Sequence, residues 1–237
     1  MRGHLAKMFN RFRSHPIPAS KQPEKLLKYP ELSQPDVENA KLFAGRESLL
    51  NYLAPGLRGG RVAEVGVMYG DFSDCIIRAI EPEIFVAIDR FDLHTVPRIW
   101  GKPPAERFQS MTHREFYERR FSERGKQVRC EEGDSCEVLS KYSDRTFDMI
   151  YVDAGHDYES VKNDAALSKQ KIKPQGVLIF NDYIRYSHYD DSYYGVIPVV
   201  NELVVNQGFE VVGFALQADM YCDIAIRKRA NLDVATP

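Results

Sequence analysis

Short β-branched runs alternate with longer segments of helical periodicity along most of the chain. Strands are predicted at Val62–Val67, Ile84–Ile88, Gln127–Cys130, Phe147–Val152 and Gly176–Phe180. Helices are predicted from Asp71, from Ser135, over Tyr158–Ile172 and over Gly195–Asn206, the last ending at Gly208. When a helix separates two strands of one sheet, it carries the chain back so that the strands run parallel. Two closing runs, Phe209–Leu216 and Met220–Ile226, flank a short polar turn and predict an antiparallel hairpin at one sheet edge. Upstream, Leu42, Phe43, Leu49, Leu50 and Leu53 recur near one helical face, so Val37–Leu53 is predicted as a helix capping the sheet or a pocket wall. The pattern therefore predicts an α/β fold with a doubly wound, mostly parallel, seven-stranded sheet and an antiparallel C-terminal hairpin.

Punctuation divides the chain into a basic, proline-punctuated leader (1–36), a cap helix (37–58), one main domain (59–229) and a tail (230–237). Two segments exceed a minimal α/β unit: an insertion over 91–125, holding Trp100 and a helical stretch at Thr112–Phe121, and the tyrosine-rich stretch 183–194. Long aromatic-rich connections are commonly functional covers, so both are expected to wall a cleft and the second to act as a lid. Phe116, Tyr117 and Phe121 are better read as fastening the insertion to the core.

Composition narrows the partners. At 237 residues and 43% hydrophobic content, the chain supports one good core. A formal charge of −2 gives no global attraction to nucleic acid or to a membrane. Cys75, Cys130, Cys136 and Cys222 lack the close pairing of a zinc site, which suits reduced thiols in the cytoplasm. No apolar run spans a bilayer. Arg2, Lys7, Arg11 and Arg13 precede any acid, a pattern shared by an uninformative basic tail, a membrane-surface arm and an organellar presequence over residues 1–23.

Open parallel sheets bind ligands beyond the carboxyl ends of their strands. Those ends carry Glu64-Val65-Gly66, Asp89, Gly133-Asp134, Asp153 and Asn181-Asp182. One such carboxylate is usually a helix cap; an uninterrupted succession of them points to a site. Gly66 and Gly70 supply a tight turn after the first strand, and Asp89 is placed to accept hydrogen bonds from ribose hydroxyls. Adjacent fourth and fifth strands would bring Asp153, Asn181 and Asp182 together as hard oxygen ligands suited to Mg²⁺, or as a hydrogen-bond network. His156 would stand beside them as a base, a ligand or a cap.

From about Arg61 to Arg227 the chain resembles the class I S-adenosylmethionine-dependent methyltransferases, whose fold is Rossmann-like. The specific resemblance is to metal-dependent small-molecule O-methyltransferases of the catechol, macrolide-sugar and cephalosporin-pathway branch. It rests on Glu64-Val65-Gly66-Val67-Met68-Tyr69-Gly70, Ile88-Asp89, Gly133-Asp134-Ser135, the Asp153-to-Tyr158 segment with Asp164, and Gly176–Tyr183 followed by Gly195-Val196. By resemblance, S-adenosylmethionine falls to Glu64, Gly66, Tyr69, Gly70, Asp89, Arg90, Asp134, Ser135 and Asp153. The metal, Mg²⁺, falls to Asp153, Asn181 and Asp182, and catalysis to His156 and Asp153. Where catechol-type enzymes carry a lysine base, this chain has His156, and where they carry two tandem acids it has Asn181-Asp182. The implied reaction is O-methylation of a small-molecule acceptor, in a chain that could form homo-oligomers. Metal-independent transfer to nitrogen, protein or nucleic acid, and cofactor binding without catalysis, are the alternatives, with a dinucleotide oxidoreductase disfavoured by the absent third glycine.

Overall fold

The computed structural model describes residues 28–230. The possible presequence and most of the basic leader, and the tail beyond residue 230, lie outside the described residues.

The ten strands are β1 (Lys41–Phe43), β2 (Arg61–Val65), β3 (Ile84–Asp89), β4 (Val128–Glu132), β5 (Phe147–Val152), β6 (Ile172–Phe180), β7 (Tyr186–Ser187), β8 (Ser192–Tyr193), β9 (Phe209–Ala215) and β10 (Asp223–Lys228). Eight form one sheet in the order β1-β9-β10-β6-β5-β2-β3-β4, while β7 and β8 pair as a separate small hairpin. The run β6-β5-β2-β3-β4 is parallel throughout, and β10 is antiparallel to both β6 and β9. This is the Rossmann-like methyltransferase fold, with eight strands where seven were expected.

The eighth strand corrects the N-terminal reading. In place of one helix over 37–53 there are α1 (Gln34–Val37), β1 and α2 (Arg46–Leu53). Gly45, extended at φ −177°, ends any helical path before Arg46. Lys41-Leu42-Phe43 instead adds in parallel to β9, with Lys41 opposite Gly213. A Cβ on Gly213 would lie 2.5 Å from a Leu49 methyl, so the bare backbone there lets α2 settle against the sheet. The closing hairpin therefore sits one strand in from the edge.

Alternation along the strands gives the sheet two buried faces, as a doubly wound sheet requires. Ala63, Val65, Ile150, Val152 and Leu178 face α6 (Ser135–Ser140), α7 (Tyr158–Lys171) and α8 (Val196–Asn206). Val62, Phe85, Met149 and Ile179 face α2, α3 (Asp71–Ile80) and α5 (His113–Arg120), where Ile76, Ile77 and Ile80 complete the core. Asp134 and Asp157 cap α6 and α7 by accepting backbone N–H bonds, and Thr112 with Glu115 forms a reciprocal capping box on α5. Between β3 and β4, the insertion holds the short α4 (Pro104–Arg107) and α5. At the rim where the parallel strands begin, Arg229 reaches from beyond β10 to the Asp36 carboxylate of α1.

Gly66 is the joint between the two central strands. Its φ is +86°, and a Cβ there would lie 2.1 Å from the carbonyl oxygen of Asp153. Gly66→Ala should therefore combine left-handed strain with a backbone clash and cost about 2–5 kcal/mol of stability. Equilibrium denaturation checks this; a wild-type midpoint would show that the β2 and β5 ends are not packed this closely.

Candidate active site

Two cavities open at the carboxyl ends of the strands and meet at Gly66, Met68 and Asp153. The first, of about 590 Å³, is walled by Asp89, Arg90, Asp134, Ser135 and Asp164. The second, of about 810 Å³, is walled by Arg46, Glu64, Tyr69, His156, Asn181 and Asp182.

In the first cavity, Asp89 organises two loops at once. Its carboxylate accepts the backbone N–H of Val67 at 2.9 Å and that of Phe91 at 2.8 Å. Each carboxylate oxygen retains capacity for another donor. Across the cavity, Asp134 accepts from Cys136 and Glu137 as the α6 cap, and Ser135 donates to the buried Asp164. Burial raises the Asp164 carboxyl above its usual range. Arg90 is exposed at the cavity edge and pairs with Asp92.

The insertion buttresses the glycine turn from outside. His113 is fully buried, with Nε2 at 2.6 Å from the Met68 carbonyl and its ring stacked on Phe108. Met68 itself takes a left-handed φ of +47°, so this contact braces a strained residue. Gly70 belongs to the same buttress, since a Cβ there would meet the Phe121 and Tyr117 rings at 2.7 and 2.9 Å; it lines neither cavity. The Tyr117 hydroxyl donates to Ser73, whose hydroxyl donates to Glu64. Burial raises the Glu64 carboxyl well above its ordinary value. Tyr69 packs among Phe108, Phe116 and Trp100, and Trp100 stays largely exposed at the mouth of the second cavity.

Asp153, His156 and Asp182 come together in the second cavity. His156 Nε2 lies 3.5 Å from Asp153 Oδ1 and 3.5 Å from Asp182 Oδ2, and the imidazole stacks on Tyr194 with centroids 4.5 Å apart. At that distance the contacts become ion pairs when the imidazole is protonated; buried Nε2 has no hydrogen-bond partner among the described residues. Burial works against the imidazolium, but Asp153, Asp182 and Asn181 outweigh it and raise the His156 pKa above its usual value. Asp182 is pushed up to about 6, chiefly by burial and against the pull of His156. Asn181 is held from behind: its amide donates to the Tyr151 hydroxyl and to Asp223, both at 3.1 Å. Asp223 is fully buried, and burial pushes its carboxyl up to about 7.

The stretch 183–194 forms the β7–β8 hairpin over this cavity, fastened largely by tyrosine hydroxyls. Tyr186 donates to Asp191, Tyr194 to Asp190, and Tyr189 to Asp219 at 3.1 Å. Arg46, from the start of α2, completes the wall with its guanidinium 4.4 Å above the Phe72 ring. Neither Arg46 nor His113 stands in a recognisable motif. Arg46 falls inside the helix predicted over Val37–Leu53, and His113 near the start of the helical stretch predicted at Thr112–Phe121, with nothing to mark either as a site residue.

Comparison with known proteins gives the family and the fold. A methyltransferase domain family model matches residues 63–183, just over half of the chain, and the chain belongs to that family. No curated protein sequence matches it. The fold is shared with the tomaymycin-synthesis O-methyltransferase TomG of Streptomyces achromogenes, solved with S-adenosylmethionine, at 21% identity and a TM-score of 0.54 over 77% of this chain and 79% of that one. It is shared with a Podospora anserina methyltransferase solved with S-adenosylhomocysteine, at 14% identity and a TM-score of 0.53 over 78% of each chain. It is also shared with the trans-methyltransferase CalH, at 14% identity and a TM-score of 0.53; the match covers 77% of this chain and 55% of CalH. The chain thus carries a methyltransferase domain. Among the described residues, no helix is long and apolar enough to cross a membrane.

The carboxylates around His156 define a measurable titration. Its imidazole should titrate above about 6.5, the usual histidine value, and Asp182→Asn should lower that midpoint by removing one of two flanking charges. Nuclear magnetic resonance of the His156 ring protons checks both; an unmoved midpoint would separate Asp182 from the imidazole.

Proposed function

We propose that the protein methylates a hydroxyl of a small molecule, with the cofactor's nucleoside in the first cavity, the acceptor in the second, and His156 as general base. The observation that carries this reading is the His156 imidazole flanked by the carboxylates of Asp182 and Asp153, the latter a residue shared by both cavities. The first cavity fits the cofactor: Asp89 has free acceptor capacity at the end of β3, beside the tight turn at Gly66 that lines the same cavity. When bound, S-adenosylmethionine supplies an electrophilic methyl group on a cationic sulfur.

The chain's own work is orientation, proton removal and exclusion of water. Neutral His156 would take the proton of the acceptor hydroxyl. Asp153 and Asp182 stabilise the imidazolium that results. Tyr194 stacks on the ring and keeps it facing the cavity. The β7–β8 hairpin serves as a cover, its rings excluding water. Ligation of Asp89, Arg90, Asp134 and Ser135 around the nucleoside, and of Glu64 and Tyr69 near its amino-acid end, belongs to the same proposal. The main domain is taken as 59–229, with the insertion as its second wall.

A divalent cation, which the resemblance implies, fits these residues poorly. Its ligands would be Asp153, Asn181 and Asp182, yet the His156 imidazole occupies the position between the two carboxylates. Among the described residues, no group of three or more His, Cys, Asp or Glu side chains is arranged to hold a metal. The proton transfer above is therefore derived from His156 alone.

Two outcomes test this reading. Asp89→Ala should weaken S-adenosylmethionine binding by about 1.5–3 kcal/mol, the value of a hydrogen bond to a charged group, and calorimetry giving unchanged affinity in a folded variant would reject the nucleoside placement. With a competent hydroxyl acceptor, transfer should rise with pH as His156 loses its proton, persist in chelator, and fall about 10²–10⁴-fold in His156→Ala. Because Asp182 holds the His156 pKa up, Asp182→Asn should move the rising limb of the rate profile to lower pH. Activity lost in chelator and restored by Mg²⁺ would reinstate the metal.

A further inference from the structure

We infer that Arg46 anchors the α-carboxylate of the cofactor's amino-acid tail, an inference that rests on placing the nucleoside in the first cavity. With the nucleoside against Asp89, the tail meets the junction at Gly66 and Asp153, where the second cavity begins. A methionine tail carries one ammonium and one carboxylate. On the α2–α3 side of that junction stand two acids, Glu64 and Asp71, and one guanidinium, Arg46. Arg46 is the only lysine or arginine among the described residues that line the second cavity.

The guanidinium is oriented but only loosely paired. Stacking 4.4 Å above Phe72 fixes its plane without consuming any N–H donor, and Phe72 in turn packs on Tyr151 at 4.5 Å. Its nearest carboxylate, Asp223, is 3.6 Å away and already accepts from Tyr151, Asn181 and Gln217. The buried Nε has no hydrogen-bond partner among the described residues. A planar fork with unused donors suits a bidentate carboxylate.

An acceptor could also bring a carboxylate, but the cavity opposes it. Asp71, Asp153, Asp182 and Asp190 all line the same space, so an anionic acceptor would meet mostly like charge. The cofactor tail brings its own ammonium and sits beside the cationic sulfur, which offsets those acids.

Calorimetry on the full chain, with S-adenosylhomocysteine and 5′-methylthioadenosine as paired probes, tests this, because the second probe keeps the nucleoside and lacks the amino-acid tail. Arg46→Met should weaken S-adenosylhomocysteine binding on the order of ten- to a hundred-fold and leave 5′-methylthioadenosine binding unchanged. Arg46→Lys should recover part of the loss, since it restores charge without the fork. Wild-type affinity for S-adenosylhomocysteine in Arg46→Met would overturn the inference while leaving the nucleoside placement intact, and is the outcome expected if Arg46 serves an acceptor carboxylate. A parallel loss for both probes would also overturn it, marking Arg46 as a support of the cavity. Failure of the wild-type chain to bind either probe would overturn the cofactor placement itself.

Discussion

Where the ends of β2 and β5 meet, the backbone of Gly66 passes so close to the Asp153 carbonyl that no side chain fits between them. That approach sets the spacing of the central strands at the rim and forms the ridge separating the two cavities. Asp153 lies on the ridge, His156 one turn of loop beyond it, and Asp89 one strand away. A displaced ridge would misplace the acid, the imidazole and the glycine turn together. The left-handed residues clustered here are thus a local strain that the surrounding sheet, buried on both faces, is able to hold.

The buttressing of this rim comes from an unexpected direction. A parallel sheet positions strand ends, yet the loop after β2 also needs support on its outer side. The insertion supplies it through His113 against Met68, and through the Tyr117–Ser73–Glu64 relay into the core. A segment resembling a cleft wall in the sequence therefore has two jobs. Trp100 faces the cavity mouth, while Tyr117 and Phe121 hold the floor.

What could be read in the sequence follows from the range of the interactions involved. Strands β2, β3 and β5 and helices α3, α6 and α7 carry their own periodicity and caps, so pattern alone located them and put Asp89, Asp134 and Asp153 on one rim. Strand β1 escaped because three residues are too few to show alternation, and Leu42 and Phe43 fall in phase with the leucines of α2. Gly70 was legible as a turn glycine, but its neighbours, Tyr117 and Phe121, lie about fifty residues away. Arg46 and His113 were invisible for the same reason: each gains its meaning from a ring or carbonyl contributed by a distant element. Asn181 was found at its strand end, whereas the Asp223 carboxylate that fixes its amide comes from the closing hairpin.

The contact between Asp36 and Arg229 joins positions 193 residues apart in sequence. It lies at the amino-end rim of the parallel strands, away from both cavities, where β10 finishes beside the beginning of β9. Within the described residues the backbone thus traces a nearly closed circuit whose first helix and last strand are neighbours. Joining them with a short linker and opening an exposed loop elsewhere would leave every strand pairing of the large sheet in place. The order of elements along the chain is in this sense a choice of starting point on a ring, and the rim that binds ligands is indifferent to where that ring is cut.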